Sequence, residues 1–235
     1  MRATVLAGLA AVAIFGGLGS AAWPEEKKAP PNPVGASPGW SASVQGTEPA
    51  PGIALGDKEI QALRKVNGYF NGLSDMKGQF IQTTADSKRL RGKFYVKKPG
   101  RFRFDYALPS RLVIVSDGKY LAIQDHDLKT DDRIPLDSTP FRLLLRNDVD
   151  VMRDAQILEL QEADDLIIVT MQDRNADIPG KIKLFLAKSP ALELREWVTT
   201  DAQGLDTRVE LSNLDRAEEV DPGLFKPTMM EMPKL

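Results

Sequence analysis

Cysteine is absent from all 235 residues, and histidine occurs once. The first absence removes disulfides, thiolate nucleophiles and cysteine metal sites together, so stability has to come from a packed core. The one imidazole, His126, stands in Asp125-His126-Asp127 with Asp131 and Asp132 close behind. Without a second imidazole this segment reads as a polar hairpin connection, and no metal site is expected. Also missing are a G-x-S-x-G elbow, a P-loop and a G-x-G-x-x-G turn, which leaves nucleophile and phosphate-cradle chemistry without their minimum parts. Adjacent acids such as Asp164-Asp165 and Glu218-Glu219 read as solvated surface. No catalytic residue is assigned, no cofactor is implied, and an enzyme is not expected. Charge of one sign is lacking as well: 31 basic residues face 33 acidic ones. Because phosphate binding needs a clustered basic face, no nucleic-acid partner is expected.

Long apolar runs are scarce, with one at the start. After Met1-Arg2, the stretch from Ala3 to Leu18 is dominated by apolar residues and glycine. It falls short of the roughly 20 residues that a bilayer-spanning helix needs. Ser20-Ala21-Ala22 follows, so residues 1–22 are expected to be a secretory signal peptide that delivers a soluble protein to the periplasm. Residues 23–56 hold Pro24, Pro30, Pro31, Pro33, Pro38, Pro49 and Pro51 among Ala, Ser and Gly, and read as a disordered tether. Residues 57–235 are left to make one domain of ordinary size.

Within that domain Asp57 is placed to cap a helix. Ile60, Leu63, Val66, Phe70 and Leu73 follow at spacings of three and four, forming one apolar stripe that has to lie on something. From Gly78 the period changes to two. Gly92, Phe94 and Val96 alternate with charged neighbours up to the Lys98-Pro99-Gly100 turn, and Phe102, Phe104 and Tyr106 do so after it. Further strands are predicted at 111–116, 120–124, 155–161, 166–173, 181–187, 192–200 and 206–211, with turn residues between them. Ten or so strands at this spacing mean a sandwich or a curled, partly closed barrel. Ser138-Thr139-Pro140 supplies a cap and a first-turn proline for a short helix containing Phe141, Leu143, Leu144 and Leu145. A helix this apolar is either buried on both sides or lies over a cavity as a lid.

The order of several motifs resembles the periplasmic outer-membrane lipoprotein carrier family, LolA. They are Phe80-x-Gln82, Gly92-x-Phe94-x-Val96-Lys97-Lys98-Pro99-Gly100-Arg101-Phe102, Asp105-Tyr106, and Val115-Ser116-Asp117-Gly118-Lys119. Thr139-Pro140-Phe141 with Leu143, Leu144 and Arg146-Asn147 resembles the helix that the family inserts between strands. The resemblance implies a mainly β fold with α-helix: an unclosed antiparallel barrel of about 10–11 strands whose concave face is covered by helices. It implies a monomeric carrier for the acyl chains of lipoproteins. Such a carrier takes cargo from an ABC-type release complex in the inner membrane and passes it to an outer-membrane receptor. Carried over by position, Phe94, Val96, Phe102, Phe104 and Tyr106 are implied to line the hydrophobic cavity, with Phe141, Leu143, Leu144 and Leu145 as the lid. Lys98 stands where the family has an arginine that locks the lid, and it lacks that residue's planar fork. Two further readings accompany this one: a related lipid or glycolipid sensor or carrier, and a scaffold whose aromatic face is ordinary filled core.

Overall fold

The computed structural model describes residues 52–228, so the expected signal peptide and residues 23–51 of the tether lie outside the described residues. The chain runs through α1 (Asp57–Asn71), then β1 (Asp75–Thr83), β2 (Arg89–Lys97), β3 (Arg101–Tyr106), β4 (Leu112–Asp117), β5 (Tyr120–Asp125) and β6 (Thr130–Pro135). A connecting strap with two short helices follows, α2 (Arg142–Leu145) and α3 (Val151–Asp154). The chain then continues as β7 (Ala155–Glu162), β8 (Leu166–Asp173), β9 (Lys181–Ala187), β10 (Glu193–Thr200) and β11 (Asp206–Asp215), ending in a 3-10 turn at Pro222–Phe225.

All eleven strands form one antiparallel sheet in the order β6-β5-β4-β3-β2-β1-β11-β10-β9-β8-β7. First and last strands meet in its middle, with Phe80 opposite Leu211, while β6 and β7 are its two outer edges. The barrel is therefore open, as the resemblance implied. The strap spans that opening in sequence, leaving one free edge and rejoining at the other.

Alternation does most of the folding work. In β3, Phe102, Phe104 and Tyr106 are buried between partly exposed Arg101, Arg103 and Asp105. Ile167, Val169 and Met171 of β8, and Ile182, Leu184 and Leu186 of β9, continue the same inner face and join the same core. A bulge at Arg195 breaks strict parity, which lets Leu194 and Trp197 both point inward although they are three residues apart. The outer face of β3 and β4 carries the C-terminal turn, where Phe225 is buried beside Arg101 and Arg103 donates to the Leu224 carbonyl at 3.1 Å.

Three details differ from expectation. Gly56, not Asp57, is the N-cap of α1, and the Glu59 carboxylate accepts the Gly56 N–H at 3.0 Å. The strap helix starts later than Pro140, with Phe141 as its N-cap, because the Thr139 hydroxyl donates back to the Leu136 carbonyl at 2.8 Å. Residues 130–135, taken with Asp131 and Asp132 as part of a hairpin connection, form edge strand β6, and His126 sits in the loop before it. At the other edge the Ile53 N–H bonds the Ile157 carbonyl at 2.9 Å, so the end of the proline-rich stretch lies along β7.

Candidate functional site

The hairpin of β2 and β3 builds one wall of the site. Phe94 lies opposite Phe104, Val96 opposite Phe102 and Gly92 opposite Tyr106. Gly92 is required by close approach, since a Cβ there would stand 2.0 Å from the Asp105 carbonyl oxygen and 2.7 Å from the Phe80 ring. Over that gap Phe80 sits edge-on to Phe104 and Tyr106, at 5.0 and 4.9 Å between ring centres. The aromatic chain then crosses the concavity. Phe102 meets Phe141 of the strap at 5.9 Å, and Trp197 of β10 meets Phe104 at 6.1 Å and Phe141 at 6.3 Å.

Between these side chains lies a cavity of about 60 Å³, lined by hydrocarbon and aromatic side chains. Of the sequence-selected residues, Phe94, Val96, Phe102 and Phe104 line it from the sheet, and Phe141, Leu144 and Leu145 line it from the strap. Two of the selected residues stand off this lining. Tyr106, expected on the cavity wall, is absent from it; burial pushes its phenol well above its ordinary pKa, and its hydroxyl donates to Gln82 Oε1. Leu143, expected in the lid, is buried within α2 and does not itself line the cavity. The opposite wall comes from Met76, Ile182, Leu184, Leu194, Trp197 and Leu211, with Phe70 and Leu73 at the end of α1. The sequence places Phe70 and Leu73 in the buried stripe of α1 but puts none of these eight in the cavity wall, although the inward alternation of β9 and β11 was a usable signal.

The cover is held to itself by side chains that imitate backbone. Asn71 of α1 donates to the Val149 carbonyl at 2.9 Å and accepts its N–H at 2.7 Å, while Asn67 accepts the Val151 N–H at 3.0 Å. Asp150 caps α3 by accepting from Met152 and Arg153. Helix α1 and the second half of the strap thus form one hydrogen-bonded piece.

Around the cavity α1 and the first half of the strap meet the sheet through a few polar fastenings. Lys98 Nζ donates to the Phe70 carbonyl at 2.8 Å, at the C-terminal end of α1, where a cation also suits the helix dipole. Its partial burial pulls the ammonium pKa below the ordinary lysine value. The Gly100 N–H bonds the Leu145 carbonyl at 2.8 Å. A third fastening escaped sequence reasoning altogether. Arg142 forks onto Asp173 at the end of β8, with Nε to Oδ2 at 2.7 Å and Nη2 to Oδ1 at 2.6 Å. The Asp173 side chain is 0% exposed, and its hydrogen bonds raise the guanidinium pKa further.

The sequence profile described as "Outer membrane lipoprotein carrier protein LolA" matches residues 71–228. Three curated relatives each carry the name "Outer-membrane lipoprotein carrier protein". That of Alkalilimnicola ehrlichii is 30% identical over 67% of this chain and 75% of its own. The Halorhodospira halophila protein is 28% identical over 74% of this chain and 85% of its own, and the Chromobacterium violaceum protein 26% identical over 71% and 83%.

Proposed function

The chain belongs to the LolA family of outer membrane lipoprotein carrier proteins, and from that premise we propose that it shuttles lipoproteins across the periplasm without catalysing a reaction. Acyl chains enter the apolar cavity once the strap withdraws. Cargo comes from an ABC-type release complex in the inner membrane and leaves to an outer-membrane receptor.

The observation that carries this reading is a wholly apolar cavity closed by a separable strap. About 60 Å³ has room for roughly two water-sized groups, far less than a long acyl chain, so occupancy requires displacement of the cover. The energies allow it. Burying a sixteen-carbon chain is worth on the order of 10 kcal/mol at about 0.8 kcal/mol per methylene. Reburial of Phe141, Leu143 and Leu144, with part of Leu145, recovers a similar amount, roughly 5–10 kcal/mol at about 1.5–3 kcal/mol per fully buried side chain. Strap and cargo compete for one surface at near balance, so a carrier built this way both loads and unloads without ATP.

The test is transfer of a purified lipoprotein between reconstituted inner- and outer-membrane components, comparing wild type with Leu145→Glu. Leu145 lines the cavity yet is only partly buried, so a carboxylate there is tolerated by the fold but opposes hydrocarbon entry. Phe102 is the poorer choice, being 2% exposed. Loss of transfer by the folded variant is expected, and undiminished transfer overturns the reading. Native mass spectrometry of the protein from its host separates lipoprotein cargo from a free lipid or glycolipid, and from a scaffold that carries nothing.

A further inference from the structure

Three polar side-chain atoms are buried on the concave face without a hydrogen-bond partner among the described residues: Gln82 Nε2, Trp197 Nε1 and Thr207 Oγ1. Their residues are 1%, 6% and 1% exposed. Strand register brings them into one patch. Gln82 on β1 stands opposite Val209, and Val209 stands opposite Trp197 on β10, so amide and indole flank a small side chain. Thr207 lies two positions along β11 from Val209, on the same face. In the structure the Tyr106 hydroxyl donates to Gln82 Oε1, which leaves the amide nitrogen as the free end. Trp197 also lines the cavity, so the patch adjoins the space where hydrocarbon would sit.

Burying unpaired polar groups is unfavourable, and residues of similar size without them, such as Met or Val, would fill the same volume. What these groups share points to their complement. Two are obligate N–H donors and the third is a hydroxyl able to donate. None of the three carries a charge, so a carboxylate drawn in beside them would be buried without a counter-ion. A neutral carbonyl oxygen, with two lone pairs, fits the donor set.

We propose that this patch is a hydrogen-bonding station for the ester or amide carbonyl of an acyl group whose hydrocarbon fills the adjoining cavity. The inference rests on the carrier reading above and narrows its cargo. O-acyl and N-acyl chains are favoured over ether-linked chains of equal length and over free fatty acids. The apolar wall supplies affinity, and the station selects the linkage.

The test is competition on the purified full-length protein against a bound fluorescent alkyl probe, using 1,2-dipalmitoylglycerol, 1,2-di-O-hexadecylglycerol and palmitate. The diester is expected to displace the probe at about tenfold lower concentration than the diether, the worth of one hydrogen bond. Its isotopically labelled carbonyl stretch is expected to move to lower wavenumber on binding. In Gln82→Met/Thr207→Val the diester advantage should fall to within about twofold, while displacement by the diether is unchanged. If that double variant fails to fold, Thr207→Val alone is isosteric, leaves Tyr106 its partner, and should show a smaller loss of the same kind. Equal displacement by diester and diether in the wild type, or an unmoved carbonyl band, overturns the station while the carrier reading stands. Failure of both lipids to displace the probe takes down the carrier reading, and the station with it.

Discussion

Replacing Arg142 by Met tests whether the strap is held shut by its ion pair with Asp173. Breaking one side of a buried pair typically costs about 3–5 kcal/mol, because the remaining charge is stranded. Here the Arg142 side chain is 23% exposed, and the Asn175 N–H still donates to Asp173 Oδ1 at 2.8 Å. Water and that bond soften the loss, so about 2 kcal/mol is expected. If the loss falls on the closed strap, the open form gains about thirtyfold in population, since 1.4 kcal/mol is tenfold. A ligand that binds only the open form then shows an apparent Kd lower by up to about thirtyfold. Titration of a fluorescent alkyl probe measures this, and amide exchange at Leu144 and Leu145 reports opening directly. The double variant Arg142→Met/Asp173→Leu removes the stranded charge, so global stability should return while the tighter binding persists. An unchanged Kd, with global stability lowered by the same amount, would show that the pair holds β8 rather than the strap.

Lys98→Ala removes a charged hydrogen bond to the end of α1 worth about 1–2 kcal/mol, and should speed probe uptake in stopped-flow mixing. Lys98→Arg should keep the wild-type rate. Gly92→Ala drives a methyl group into the Asp105 carbonyl and the Phe80 ring, and should lower stability in urea by at least about 3 kcal/mol. Asp154 accepts from Arg153 and Arg146, and these bonds outweigh burial to hold its pKa below the ordinary aspartate value. Its contribution is therefore complete above about pH 4 and is lost as pH falls through the depressed folded value. Asp154→Asn should flatten that part of the acid limb of stability, measured by urea melts between pH 7 and pH 3.

Legibility in the sequence followed burial. Strands β8 and β9 were placed to the residue because both lie inside the sheet, where alternation is enforced from each side. Edge strand β6 was missed because Thr130–Pro135 carries two aspartates, an arginine and a proline, residues that a one-sided edge tolerates. The wall formed by β2 and β3 could be read from its aromatics. Trp197 could not, because the bulge at Arg195 breaks the period that would have paired it with Leu194. The Arg142–Asp173 fork joins positions 31 residues apart, and nothing local marks either as a partner. Tyr106 continued the alternation of Phe102 and Phe104 faithfully, but strand position fixes only the face, and its ring packs edge-on against Phe80 without lining the cavity.

Because the opening and closing strands of the chain zip together at the centre of the sheet, neither flank can finish alone. Strands β2 to β6 and β7 to β10 are sequence-local meanders, yet the seam joining them needs residues 75–83 and 206–215 at once. Loop closure over that span is slow and gains little until it is complete. The polypeptide should consequently stay unlocked until β11 is available to pair with β1, so that the two meanders are joined only in the last step of folding.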